Sequence, residues 1–149
     1  MNNVAVVSLN SKHRFYEKKI KGITQKFLRL LKKKNCYLDI FLVTSSKMKF
    51  LNKKFRDKNK TTSILTFVEP KNFPHPESKL KSLGEIYLNV DSRGLHADKR
   101  GKSLRKSALS QRLSALLAHG LLHLFGFQHA KKSDRMKMEA KENFLISHV

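Results

Sequence analysis

The chain is organised around the stretch Ala118-His119-Gly120-Leu121-Leu122-His123-Leu124-Phe125-Gly126-Phe127-Gln128-His129. On a helix, His119 and His123 lie one turn apart, so both imidazoles project from the same face. Gly126 can adopt the left-handed conformation that ends a helix and reverses the chain, which would bring His129 back toward that face. The spacing therefore predicts that three imidazoles converge at the end of a helix.

Three converging imidazoles indicate a metal site. One histidine on an apolar helix is more often a core residue than a ligand, but two at i and i+4 with a third beyond a glycine favour coordination. Buried imidazoles among leucines need polar partners, and one shared ion would satisfy all three. Three neutral imidazoles with an open position suit a catalytic zinc or a similar divalent ion. The remaining histidines, which lie in polar stretches and are not predicted to be ligands, are His13, His75, His96 and His148.

The composition shows a large excess of positive charge. The chain has 32 Lys plus Arg against 11 Asp plus Glu, a formal net charge of +21 and a pI near 10.4. The excess favours a polyanionic partner, and RNA or DNA is the commonest one in the cytosol. The alternative is a lysine-rich composition whose charge only solvates the surface. A membrane surface is a weaker candidate, because no basic segment has the Trp-rich amphipathic character of an interfacial helix.

Length and cysteine content indicate a single cytoplasmic domain over residues 1–149. A chain of 149 residues with 40% hydrophobic content can bury a core without disulfides. The single Cys36 cannot form an internal bridge and is expected to be buried in a strand. No apolar run approaches the roughly 20 residues needed to cross a bilayer. The start of the chain lacks the features of a signal peptide.

The order of the secondary structure elements predicts an α+β fold. Strand-like segments lie at 4–9, 37–44, 61–68 and 83–90, and helical periodicity appears at 15–34, from Ser45 or Ser46, at 107–125 and from about Ser133. All three prolines fall in a predicted loop at 69–82, and a basic connection spans 91–106. We expect a mixed four-stranded sheet covered on one face by helices, with the apolar helix 107–125 buried at the centre.

The histidine spacing also resembles the zinc signature of metzincin proteases. Those enzymes carry a glutamate directly after the first histidine as the general base, and here that residue is Gly120. A peptidase would therefore lack its proton acceptor. A divalent ion at this site could still lower the pKa of a bound water and polarise a phosphoryl or carbonyl oxygen.

Several segments closely resemble motifs of the YbeY family, bacterial rRNA maturation factors described as metal-dependent endoribonucleases. Residues 119–129, HGLLHLFGFQH, are similar to the family signature H-G-x-L-H-L-x-G-[YF]-D-H. Residues 51–67, LNKKFRDKNKTTSILTF, resemble L-N-x-x-[YF]-R-x-K-[DN]-x-x-T-[DN]-V-L-S-F, and residues 83–86, LGEI, resemble L-G-D-I. Met138 and Glu139 match the Met-Glu of the family's final helix.

The resemblance implies a set of site residues. His119, His123 and His129 would be the zinc ligands, and Arg56 would match the family's functionally important arginine. A guanidinium near the ion can hold a phosphate bidentately and offset charge that develops on the phosphorus. Without the resemblance, Arg56 would be interpreted as one more exposed basic residue among 32.

The resemblance also implies a biological role. The family's activity would make this chain a single-strand-type endoribonuclease in 16S rRNA maturation and ribosome quality control, with the rRNA precursor and the ribosome as partners. Ribosomal proteins or assembly GTPases are further partners that it suggests. The alternative is a non-catalytic RNA- or ribosome-associated factor with a structural metal, although three ligands rather than four favour the enzyme. A protease is a distant third hypothesis.

Three positions depart from the family pattern. Gln128 replaces an aspartate beside the last histidine, Ser63 replaces Asp or Asn, and Glu85 replaces the aspartate of L-G-D-I. The change at Gln128 matters most, because an amide can form hydrogen bonds to a ligand but cannot act as a base. Metal affinity or turnover is therefore expected to differ here.

Overall fold

The structure, a computed structural model, describes residues 2–70, 80–91 and 106–149. In the last range, side chains are described from residue 108 onward. Most of the predicted loop at 69–82 and of the connection at 91–106 lies outside these residues, as do His75 and His96. The elements, in chain order, are β1 (Asn3–Ser8), a 3-10 helix (Ser11–Tyr16), α1 (Glu17–Leu30), β2 (Cys36–Val43), α2 (Ser45–Arg56), β3 (Ile64–Val68), β4 (Lys81–Asn89), α3 (Lys106–Leu124) and α4 (Lys132–Ser147).

The strands form a mixed four-stranded sheet in the order β1-β2-β4-β3. β1 pairs with β2 and β2 with β4 in parallel, whereas β3 pairs with β4 in the antiparallel direction. The predicted mixed sheet and α+β class are confirmed. β3 forms one edge of this sheet, and the other edge is β1. Cys36 is buried at the start of β2, as expected.

The main core lies between one face of the sheet and the helices α1, α3 and α4. Alternate residues of β2 point into it, because successive side chains of a strand face opposite sides. Its fully buried members include Leu38, Ile40, Leu42, Ile86, Leu88, Ile20, Phe27, Leu113, Leu117 and Leu121. The prediction that the apolar helix carrying His119 is buried at the centre is therefore confirmed.

One helix departs from the expectation that all helices cover the same face. Met48 and Leu51 of α2 pack in a separate small cluster with Val43 and Leu65, on the side of the sheet opposite the main core. The expectation was wrong for this helix, because the apolar positions of β2 alternate and its second face also needs cover. As a result, α2 lies on the second face of the sheet, and its last turn is next to the edge strand β3.

The segment before α1 also differs from its predicted form. His13 was interpreted as a residue in polar surroundings, yet its side chain is 2% exposed within the 3-10 helix. Its Nε2 lies 2.8 Å from Oδ1 of Asp91, which follows β4. His13 and Asp91 are far apart in sequence, so the polarity of the residues around His13 does not predict this contact.

No helix in the described part of the chain is both long and apolar enough to cross a membrane.

Candidate metal centre

Three histidine rings lie against one another beside the edge strand β3. The ring centroids of His119 and His123 on α3 are 4.5 Å apart, and that of His129 lies 5.5 Å and 5.0 Å from them. Each residue offers a ligand atom, and these atoms lie within 4.8 Å of one another. The predicted convergence is confirmed, and this set of three imidazoles can hold one metal ion.

The chain reversal that brings in the third ring has a local cause. Gly126, just beyond α3, has φ +91°, a left-handed conformation that residues with a Cβ rarely adopt. Its N–H donates to the His123 carbonyl, and the Phe127 N–H donates to the Leu122 carbonyl, both at 3.0 Å. These two bonds form the Schellman motif that ends many helices. The sequence-based role of Gly126 is therefore confirmed.

Hydrogen bonds fix the orientation of both helical histidines. Nδ1 of His123 lies 3.0 Å from the Phe127 carbonyl oxygen, and Nδ1 of His119 lies 2.9 Å from Oε1 of Glu142 on α4. A carbonyl and a carboxylate only accept, so each neutral ring donates from Nδ1 and keeps its lone pair on Nε2. The two Nε2 atoms lie 3.1 Å apart. Both lone pairs are therefore available to the same small volume.

The surroundings of His123 favour its neutral form. Burial, followed by the neighbouring His119 and His129, lowers the pKa of His123 below its ordinary value of 6.5. The hydrogen bond to the Phe127 carbonyl and the charge of Glu142 act in the opposite direction but are weaker. A histidine must be neutral to bind a metal, so this environment suits a ligand near neutral pH.

Glu142 is a site residue that sequence reasoning missed. It lies on α4, 23 residues from its partner His119, and its side chain is 22% exposed. A signal was present, because Glu142 falls four residues after the buried Met138 and three before the buried Leu145. A carboxylate on the buried face of a helix needs a partner, and helical spacing alone could have singled it out.

The structure brings Arg56 to the histidines. Arg56 is the last residue of α2, and its Nη2 donates to the Thr66 carbonyl of β3 at 2.8 Å. Its guanidinium carbon lies 5.4 Å from the ring centroid of Phe67. Arg56 and His123 line the same open cleft of about 490 Å³. The hydrogen bond to the Thr66 carbonyl uses one guanidinium N–H of Arg56, so its other N–H groups can donate to an anion in the cleft.

Gly120 occupies the position at which a metzincin carries its glutamate. A Cβ at Gly120 would lie 2.6 Å from Cδ1 of Ile64 and 3.3 Å from Cγ2 of Thr66. The backbone of α3 therefore packs directly on β3 at this point. A side chain at this position would have to displace the end of the Ile64 side chain.

Two of the three departures from the family pattern have clear positions. Gln128 is exposed and lines the cleft that contains Arg56 and His123. Glu85 lies on β4, where it accepts a hydrogen bond of 2.8 Å from the Tyr87 hydroxyl. Burial and this bond raise the pKa of Tyr87 to about 12. Of these two, only Gln128 lines the cleft beside the histidines.

Comparison with known proteins is consistent with this geometry. The family model described as Endoribonuclease YbeY matches residues 5–149. The chain is 30% identical over 122 residues to Endoribonuclease YbeY of Sulfurihydrogenibium sp., covering 82% of this chain and 75% of that protein. It is 31% identical over 140 residues to the Pelagibacter ubique protein of the same name, covering 94% and 81%. A solution structure from Thermotoga maritima shares the fold, with a TM-score of 0.61 at 20% identity, over 97% of this chain and 87% of that one.

Proposed function

The chain belongs to the YbeY endoribonuclease family, and we propose that it is a metal-dependent enzyme. Its proposed reaction is the hydrolysis of phosphodiester bonds within single-stranded RNA. One observation carries the proposal: three imidazoles lie close enough together to hold one ion, and one of them, His123, lines the same cleft as the guanidinium of Arg56. The net charge of +21 supports a polyanionic substrate.

The proposed ligands are His119, His123 and His129, and the proposed ion is zinc. A bound ion of this kind supplies Lewis acidity and lowers the pKa of water. Glu142 and the Phe127 carbonyl hold the two helical rings in the tautomer that a ligand requires. Three protein ligands leave a position open for water or substrate, which is typical of catalytic rather than structural zinc.

Arg56 is the proposed phosphate-binding residue. The Thr66 carbonyl and the Phe67 ring hold its guanidinium at the side of the cleft. The remaining N–H groups can hold two phosphate oxygens at once and offset the negative charge that grows on them during the reaction. Gln128, in the same cleft, can donate or accept a hydrogen bond but cannot take up a proton.

The proposed biological setting follows from the family. We propose that the substrate is precursor rRNA in the cytoplasm, that the activity serves 16S rRNA maturation and ribosome quality control, and that ribosomal proteins or assembly GTPases are partners. The basic surface supports a role beside ribosomal RNA.

Cleavage of a labelled single-stranded RNA tests the proposed activity. We expect the purified protein to cut the strand, a chelator to stop the reaction, and added zinc to restore it. The protein should not digest a generic protein substrate, because position 120 has no carboxylate. Tight RNA binding without any cleavage, at every zinc concentration tried, would instead support the non-catalytic ribosome-associated factor.

Replacement of Glu142 tests its role in positioning His119. We expect Glu142→Ala to weaken zinc binding by about 10- to 100-fold, the usual effect of losing a partner that orients a metal ligand. Glu142→Gln should weaken it less, because the amide oxygen still accepts the bond from Nδ1. Competition with a chromophoric chelator would measure both affinities.

Asn143→Ala is the matched control, since this exposed polar side chain is the next residue on the same helix. If Glu142→Ala bound zinc as tightly as this control, Glu142 would have no part in positioning His119.

A further inference from the structure

Two phenylalanines on the outer face of α2 are unusually exposed. Phe50 is 55% exposed and Phe55 is 54% exposed. The helix is otherwise rich in lysine, and no acidic residue occurs between Ser45 and Arg56. Aromatic rings set among cations are typical of surfaces that bind single-stranded nucleic acid.

The lysines of α2 lie close to these two rings. Nζ of Lys47 is 5.0 Å from the ring centroid of Phe50, and Nζ of Lys54 is 5.9 Å from Phe50 and 5.4 Å from Phe55. A hydrophobic protein partner would have to strip water from these ammonium groups without compensation. An RNA strand instead offers phosphates to the lysines and base faces to the rings, so its chemistry complements the surface.

The aromatic surface continues into the cleft beside the histidines. Phe55 packs edge-on against Phe67, with centroids 5.3 Å apart and planes at 72°. Phe67 lies beneath Arg56 and lines the cleft that His123 also lines. Phe55 and Arg56 thus contact the same ring, so a strand whose phosphate is held by Arg56 has the ring of Phe55 within reach.

The ring of Phe55 packs at one end of a series of contacting aromatic rings. Phe67 meets Tyr87 at 5.6 Å and 89°, and Tyr87 stacks on Phe41 at 5.0 Å and 21°. These three rings lie on β3, β4 and β2 and are partly buried. The ring of Phe55 thus rests on a packed set of side chains, which limits the entropy lost when a base stacks on it.

We propose that Phe55, assisted by Phe50 and Lys54, is a stacking surface for an unpaired nucleobase of the RNA strand whose phosphate lies at Arg56. The inference rests on the proposed function and adds a structural cause for selecting single strands. Bases of a duplex are paired and stacked inside the helix, so they cannot lie on the ring. The lysines attract both forms of RNA, whereas the ring acts on the single strand alone.

Binding of labelled RNA to full-length variants tests the proposal. We expect Phe55→Leu to weaken binding of a single strand by about 5- to 100-fold, as measured for base–aromatic stacking elsewhere, and to leave binding of a duplex of equal length unchanged. Phe55→Tyr should bind like the unaltered protein, since it keeps an aromatic face. Phe15→Leu is the control, because Phe15 is 73% exposed and follows β1 at the opposite edge of the sheet from β3.

A tryptophan at position 55 gives a second readout. The chain has no tryptophan, so Phe55→Trp places a single fluorophore at the proposed surface. Its emission should be quenched by a single strand and not by a duplex, because quenching requires a base on the ring. Equal quenching by both, or equal loss of both affinities in Phe55→Leu, would overturn the proposal.

The failure of this inference is distinguishable from failure of the proposed function. Cleavage by a Phe55→Leu variant with unaltered single-strand affinity would leave the enzyme intact and remove the stacking surface. Single-strand binding that depends on Phe55, in a protein that never cleaves RNA, would support the stacking surface and contradict the proposed function.

Discussion

His123→Ala is expected to abolish RNA cleavage and to weaken metal binding by more than about a hundredfold. The loss of an outer partner alone typically costs about 10- to 100-fold, and removal of a ligand should cost more. His123 lies on α3, its Nδ1 is held by the Phe127 carbonyl, and it lines the same cleft as Arg56. Equilibrium zinc competition and cleavage of a single strand, on the same protein sample, would measure both effects.

The matched control for this substitution is His148→Ala. His148 is exposed just beyond α4, outside the cluster of three rings, so its loss should change neither zinc affinity nor cleavage. A His123→Ala protein that cut RNA at the rate of the control would contradict the assigned ligand role. Circular dichroism would confirm that both variants keep the helices of the parent.

Arg56→Lys is expected to slow the chemical step by about 100- to 1,000-fold, the usual effect of removing a donor that stabilises developing charge. Lysine keeps the positive charge but cannot form two parallel hydrogen bonds, and it lacks the planar face that lies over Phe67. RNA affinity should change little, because one phosphate contact among many is altered. Single-turnover cleavage rates and dissociation constants would separate the two effects.

Arg29→Lys provides the control for this change. Arg29 is exposed on α1, so the same substitution there should leave the rate and the affinity unchanged. A large loss of affinity in Arg56→Lys with an unaltered single-turnover rate would show that Arg56 only binds RNA.

The convergence of the histidines could be predicted because its causes are local. Helical spacing places His119 and His123 on one face, and the glycine at 126 determines the chain reversal that returns His129. The apolar character of residues around them also predicted the buried helix. Each of these inferences uses neighbours within one or two turns of the chain.

The rest of the site depends on packing between distant elements. Arg56 could be proposed only from the resemblance to the family, because its place beside His123 requires α2 to cover the second face of the sheet. The partnership of Glu142 with His119 depends on how α4 docks on α3. The burial of His13 depends on Asp91, 78 residues later. Local periodicity contains no information on such pairings.

The cleavage rate during a zinc titration of metal-depleted protein tests the central claim most directly. The claim is that three histidines hold one ion and that this ion makes the chain a ribonuclease. The rate of single-strand cleavage should rise in proportion to added zinc and stop rising at one equivalent per chain. Full cleavage by the metal-depleted protein, or one bound equivalent of zinc with no cleavage, would contradict it.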